Sequence, residues 1–200
     1  MTATKEASAL RGDMLKRLLL IAPLVMPIAA FVFMKPFFIL APEWIGISCV
    51  SDIICTDDPS RYPVASALYE SAVHFVEASV GPMEHRPRVV FCSTEGCFQS
   101  FGLGRRSAAT VGTIGIVISL RAWTPHYVRH EMLHHVQYER LGSLRAWLVS
   151  PEWFIEGMAY SLSEDPRPLL SEPWQSDRTR FQEWFLQIGK DRLWDAAANL

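Results

Sequence analysis

His130-Glu131-Met132-Leu133-His134, followed downstream by Pro151-Glu152-Trp153-Phe154-Ile155-Glu156-Gly157-Met158-Ala159-Tyr160, decides how this chain is read. Thr124-Pro125 reads as an N-cap with proline at the first helical position, so the first motif lies on a helix running through Arg140 and ending near Gly142. Residues four apart on a helix differ by about 40° around its axis, so His130 and His134 project from one face and can share a tetrahedral Zn²⁺. Glu131, beside the first histidine, is placed to act as general base on a metal-activated water. A catalytic zinc wants a third protein ligand, and Glu156, 22 residues after His134, offers a carboxylate from a second helix that Ser150-Pro151 begins. Glu139 is a poorer choice, because it points well away from the face of the two histidines.

Outward from the motif, the chain reads as one domain with an appendage. Its 200 residues exclude a multi-domain machine, and a net charge of −2 gives no reason to expect nucleic acid as a partner. Half the residues are apolar, which excludes disorder as the main state. Much of the surplus sits in Leu18 to Met34, which carries no charge, and apolar character resumes after Lys35-Pro36 as Phe37-Phe38-Ile39-Leu40. The stretch 18–40 therefore reads as a transmembrane anchor, with a cleaved secretory signal and a buried core helix as the alternatives. Lys5, Arg11, Lys16 and Arg17 precede it, so the positive-inside rule puts 1–17 in the cytoplasm and 42–200 on the exoplasmic side. In a bacterium that is an inner-membrane protein facing the periplasm. All four cysteines lie beyond this segment in two close pairs, Cys49 with Cys55 and Cys92 with Cys97. Export permits oxidation and short loops close most readily, so these pairs are the expected disulfides, although three connectivities are open.

The remaining elements follow from periodicity. Ser60 to Val80 reads as an amphipathic helix, Arg88 to Cys92 and Gly112 to Leu120 as strands, and Phe181, Trp184, Phe185 and Ile188 as one face of a last helix closing at Gly189. Ser93 to Thr110 between the strands reads as a glycine-bearing basic loop, and His74 and His85 as ordinary histidines. Strands followed by helices make an α+β domain.

The pairing of HExxH with Trp153-x-x-Glu156-Gly157-x-Ala159 resembles the gluzincin metallopeptidases, and most of all their small peptidase MA-like members. The resemblance covers about Thr124 to Asp165. It implies a zincin-like domain in which a small mixed sheet packs on the active-site helix, His130, His134 and Glu156 as zinc ligands, and Glu131 as general base. It also implies that the strand Thr113 to Leu120 is the edge that pairs with extended substrate. The family's transition-state stabiliser, a downstream Tyr or His, finds Tyr160 as its first counterpart, with His135, His126 and Tyr127 behind it. The metzincin arrangement is excluded, because Gln137 and Arg140 stand where it needs Gly and His. Glu95-Gly96-Cys97-Phe98 resembles the motif by which peptide deformylase offers a cysteine ligand, but Leu133 departs from that family's helix. The expected function is a membrane-anchored zinc peptidase cleaving peptide or protein substrates. The alternative is a membrane-anchored binding or chaperone-like module with a non-catalytic zinc site.

Overall fold

Val89-Val90-Phe91 and Gly115-Ile116-Val117-Ile118 are apolar at almost every position, as strands covered on both faces must be. In the computed structural model, which describes residues 35–200, they form β3 (Val89–Phe91) and β5 (Gly115–Ile118), paired in parallel with Val89 opposite Ile116 and Phe91 opposite Ile118. Because side chains alternate along a strand, Val89, Phe91, Ile116 and Ile118 enter one core while Val90 and Val117 enter another on the opposite face. Three further strands complete a mixed sheet: β1 (Ser48–Cys49), β2 (Ile54–Thr56) and β4 (Ala108–Val111), in the order β1-β2-β3-β5-β4. β2 runs parallel to β3, whereas β1 and β4 are antiparallel to their neighbours.

This topology corrects one expectation. Thr113 to Leu120 is not the edge of the sheet, since β5 lies between β3 and β4. The edge is β4, inside the stretch that reads as a loop, where Ala108 and Ala109 carry little strand propensity.

The first core lies between the sheet and the helices. It takes Ala65, Tyr69, Ala72, Val73, Val76 and Val80 from α1 (Tyr62–Val80), and Val128, Met132, Leu133 and Val136 from α3 (Pro125–Leu141), which packs on α1 and β4. The short α2 (Glu95–Ser100) precedes β4. Thr124 and Pro125 occupy the N-cap and first position of α3, although the Thr124 hydroxyl faces His126 Nδ1 at 3.2 Å instead of capping the backbone. After Gly142 the chain forms α4 (Ser143–Leu148), then α5 (Glu152–Leu162), α6 (Trp174–Ile188) and the short α7 (Leu193–Ala197). α5 packs on α3 with one side and on α6 with the other. Phe154, Phe181, Trp153 and Trp184 interleave at ring separations of 5.5–6.1 Å to form the α5–α6 seam. Gly157 lets the two backbones meet there, because a Cβ at that position would lie 2.3 Å from the Asp177 carbonyl oxygen.

The second core, on the other face, gathers Ile39, Ile47, Val90, Phe98, Phe101 and Val117 around Cys55, Cys92 and Cys97. Disulfides join Cys49 to Cys55 and Cys92 to Cys97, the pairs their short loops favour. Both bonds suit an oxidising compartment.

The apolar run at 37–40 is part of this core. Lys35–Ile39 forms a 3-10 turn, Ile39 is fully buried, and Arg88 Nη1 donates to the carbonyls of Ile39 and Leu40 at 3.2 and 2.7 Å. The expectation of an anchor over 18–40 in front of a zincin-like domain is therefore corrected. No helix among the described residues is long and apolar enough to cross a membrane, and the fold is a mixed α+β domain on a five-stranded sheet. The single-pass localisation loses its support with it. The segment 1–17 and the stretch from Leu18 to Met34 lie outside the described residues. The compact unit runs from Phe37 to Leu200.

Candidate metal centre

α3 turns its apolar face to the core and its histidine face to a cleft of about 1010 Å³. The cleft is floored by His130, Glu131 and His134 and walled by β4, α5 and the stretch leading to α6. His130 Nε2 and His134 Nε2 stand 3.1 Å apart. Glu156, one helix away, brings Oε2 to 3.7 Å from His130 Nε2 and Oε1 to 3.6 Å from His134 Nε2. These three residues could hold a metal ion. Their separations fit a small tetrahedral cation, for which ligand atoms about 2.0–2.2 Å from the metal are roughly 3.3–3.5 Å from each other.

Electrostatics favours the ligand form of His130. Burial, reinforced by the neighbouring His134, pushes His130 well below the ordinary histidine range, so its imidazole is neutral. The tautomer of His134 is set by Gln137, which is fully buried one turn further along α3. Gln137 Nε2 faces the carbonyls of Ile155 at 3.0 Å and Phe154 at 3.5 Å, both acceptors, so its amide oxygen must be the atom 2.8 Å from His134 Nδ1. His134 therefore donates from Nδ1 and keeps the Nε2 lone pair toward Glu156. The same amide ties α3 to the turn of α5 that carries Glu156.

Gln137 is the residue that reading by spacing missed, because position 137 was weighed only as a place for a ligand-motif glycine. An amide three residues after the second motif histidine, on the same helix face as both histidines, is the signal that identifies it.

Glu131 sits beside this triad on the edge strand's side. The Thr110 hydroxyl of β4 lies 2.8 Å from Glu131 Oε2 and 2.7 Å from the Glu131 backbone oxygen. Burial raises the Glu131 carboxyl, partly offset by the charge of His134 and the Thr110 hydrogen bond. Tyr160, one turn after Glu156, packs edge-on against the His130 ring at 4.5 Å. Burial, with the Glu156 carboxylate adding to it, pushes its phenol up to about 12, so near neutral pH it remains a hydrogen-bond donor.

The other candidates separate cleanly. His126 and Tyr127 line the cleft, at the end where α3 begins. His135 is turned elsewhere: fully buried, its Nε2 lies 3.0 Å from the His85 carbonyl and 3.4 Å from Glu139. Glu139 accepts from the backbone N–H groups of Glu84 and His85, a structural clasp away from the cleft. Cys97, the deformylase-like candidate, is engaged with Cys92 and offers no thiolate. Comparison of the chain with protein-family models, with curated proteins and with solved structures finds no match in any of the three.

Proposed function

We propose that this protein is a zinc-dependent peptidase of gluzincin type, hydrolysing peptide bonds in the cleft above α3. One observation carries the reading: two buried histidines and a carboxylate from a second helix converge within 3.7 Å beside a buried glutamate. A donor set of two imidazoles and one carboxylate is that of a catalytic zinc with a position left open, and zinc bound there would polarise a carbonyl and acidify water. The protein's own groups supply the rest. Glu131 takes a proton from the attacking water at its carboxylate and returns it to the departing amine, its Oε2 held in place by Thr110. The Tyr160 phenol donates to the oxygen on which negative charge develops. Gln137 keeps His134 in the ligand tautomer throughout.

The test separates metal binding from chemistry. Glu131→Gln should bind zinc as the wild type does and keep its fold, yet cleave a peptide library more slowly by about three orders of magnitude or more, because base and metal act as a unit. Chelation should abolish wild-type cleavage and added zinc restore it. A wild-type protein that holds zinc and cleaves nothing in a broad library overturns the reading.

A further inference from the structure

Arg167 lines the cleft from the loop between α5 and α6, and three independent contacts fix it there. Its Nε donates to both oxygens of Asp165, at 2.9 and 3.1 Å, and its Nη2 donates to the same carboxylate. The Asp165 side chain is only 2% exposed, and although burial alone would raise its carboxyl, the bonds from Arg167 outweigh that and hold it ionised below the usual range. The guanidinium carbon lies 5.6 Å from the Tyr160 ring centre and 5.9 Å from that of Tyr127. Behind it, Arg178 donates to the carbonyls of Arg167 and Pro168 at 3.0 and 2.9 Å, pinning the loop. Nη1, by contrast, makes no hydrogen bond to any of the described residues. Although its side chain is 45% exposed, Arg167 is held by one edge and over two rings, with its other edge open toward the cleft for a ligand.

We propose that Arg167 receives a carboxylate of the bound peptide, in the first place its C-terminal carboxylate, so that the enzyme prefers scissile bonds close to the C-terminus of the substrate. The inference rests on the peptidase reading only in taking a peptide as the ligand. The chemistry follows from the guanidinium, whose planar fork matches a carboxylate and gives charge-assisted hydrogen bonds. Position follows from Tyr160, whose ring centre lies 5.6 Å from the guanidinium and 4.5 Å from the His130 ring centre, which puts Arg167 within about 10 Å of that histidine ring. Extended chain rises about 3.3 Å per residue, so no more than about three residues span that distance.

The experiment measures binding without turnover. Zinc-loaded Glu131→Gln protein is titrated calorimetrically with an apolar tetrapeptide as the free acid, with the same peptide amidated, and with an amidated peptide ending in Glu. The free acid should bind about tenfold or more tighter than the amide, as two hydrogen bonds to a charged group imply. Adding Arg167→Gln should erase the difference, and Arg167→Lys, which keeps charge without the fork, should reduce it. The pair Asp165→Asn with Arg167→Gln leaves no carboxylate unpartnered and so guards against misfolding. Selection of the Glu-ending amide over the plain amide, lost with Arg167→Gln, keeps a carboxylate on Arg167 but moves its source from chain end to side chain, overturning the C-terminal preference. Equal binding of all three peptides, binding of none, or a preference that survives Arg167→Gln overturns the proposal outright. Cleavage is not read, so failure here is distinct from failure of the peptidase reading.

Discussion

The two faces of the sheet are covered by different means. On one, α1, α3, α5 and α6 pack as amphipathic helices around aromatic rings, and every group of the candidate centre hangs from them. On the other, a short N-terminal segment and the six-residue α2 cover a smaller core, with two disulfides set into it. Short elements bury too little apolar surface to hold themselves, so covalent links take over where helices run out. The site thus depends on interhelical fit, whereas the opposite face depends on cross-links, and each can be disturbed separately.

The largest disturbance should come from Gly157→Ala. The added methyl would meet the Asp177 carbonyl carbon and oxygen, both backbone atoms, so α5 and α6 must separate. Urea denaturation should register a loss of about 3 kcal/mol, and metal binding should fall with it because Glu156 rides on the displaced helix. A loss below about 1 kcal/mol would mean that the seam is more pliable than its packing implies.

Gln137→Met comes next, acting on the site face without changing side-chain bulk greatly. Removing the amide frees His134 and takes from the Phe154 and Ile155 carbonyls the side-chain donor that ties the two helices together. Competition against a chromophoric chelator should show zinc affinity weaker by about 10- to 100-fold. Unchanged affinity would remove Gln137 from the centre.

The smallest effect belongs to the cross-linked face. Cys92→Ser with Cys97→Ser opens a loop of sequence separation 5, which loop entropy values at about 2 kcal/mol of global stability. Zinc affinity should stay at the wild-type value in the same chelator assay. A parallel loss of zinc would show the two faces to be coupled and the contrast between them false.

The same contrast governs what can be read from the sequence. The helical face is legible because periodicity, the prolines Pro125 and Pro151 at the helix starts and the spacing of His130, His134 and Glu156 are local signals that survive into three dimensions, although neither Thr124 nor Ser150 caps its helix with a side-chain bond. The five-stranded sheet is half legible. β3 and β5 declare themselves by β-branched runs, whereas β4 opens on two alanines and is only four residues long, its strand state imposed by pairing with β5. The run Phe37 to Leu40 shows a deeper limit. Hydropathy measures aversion to water and does not distinguish lipid from protein interior, so a segment that supplies Ile39 to a core reads as part of an anchor. Gln137 and Arg167 escape for another reason. Their near partners, His134 and Asp165, are local, but the contacts that give those pairs a direction, Gln137 to the Phe154 and Ile155 carbonyls and Arg167 over Tyr127 and Tyr160, are made only by the fold.

The aromatic seam between α5 and α6 also gives the molecule an optical asymmetry. Trp153 and Trp184 lie at ring contact within it, and Trp174 stands 6.2 Å from Tyr160 at the cleft wall. The segment over the opposite face carries Trp44, whose 83% exposure places its indole in water. Indoles packed against rings emit at shorter wavelength and give strong near-ultraviolet dichroism, while a solvated one contributes red-shifted, featureless signal. Trp147, 75% exposed at the cleft, adds a second solvated signal, so it is the near-ultraviolet dichroism that is weighted toward the half bearing the centre, and its loss on unfolding reports the release of that half.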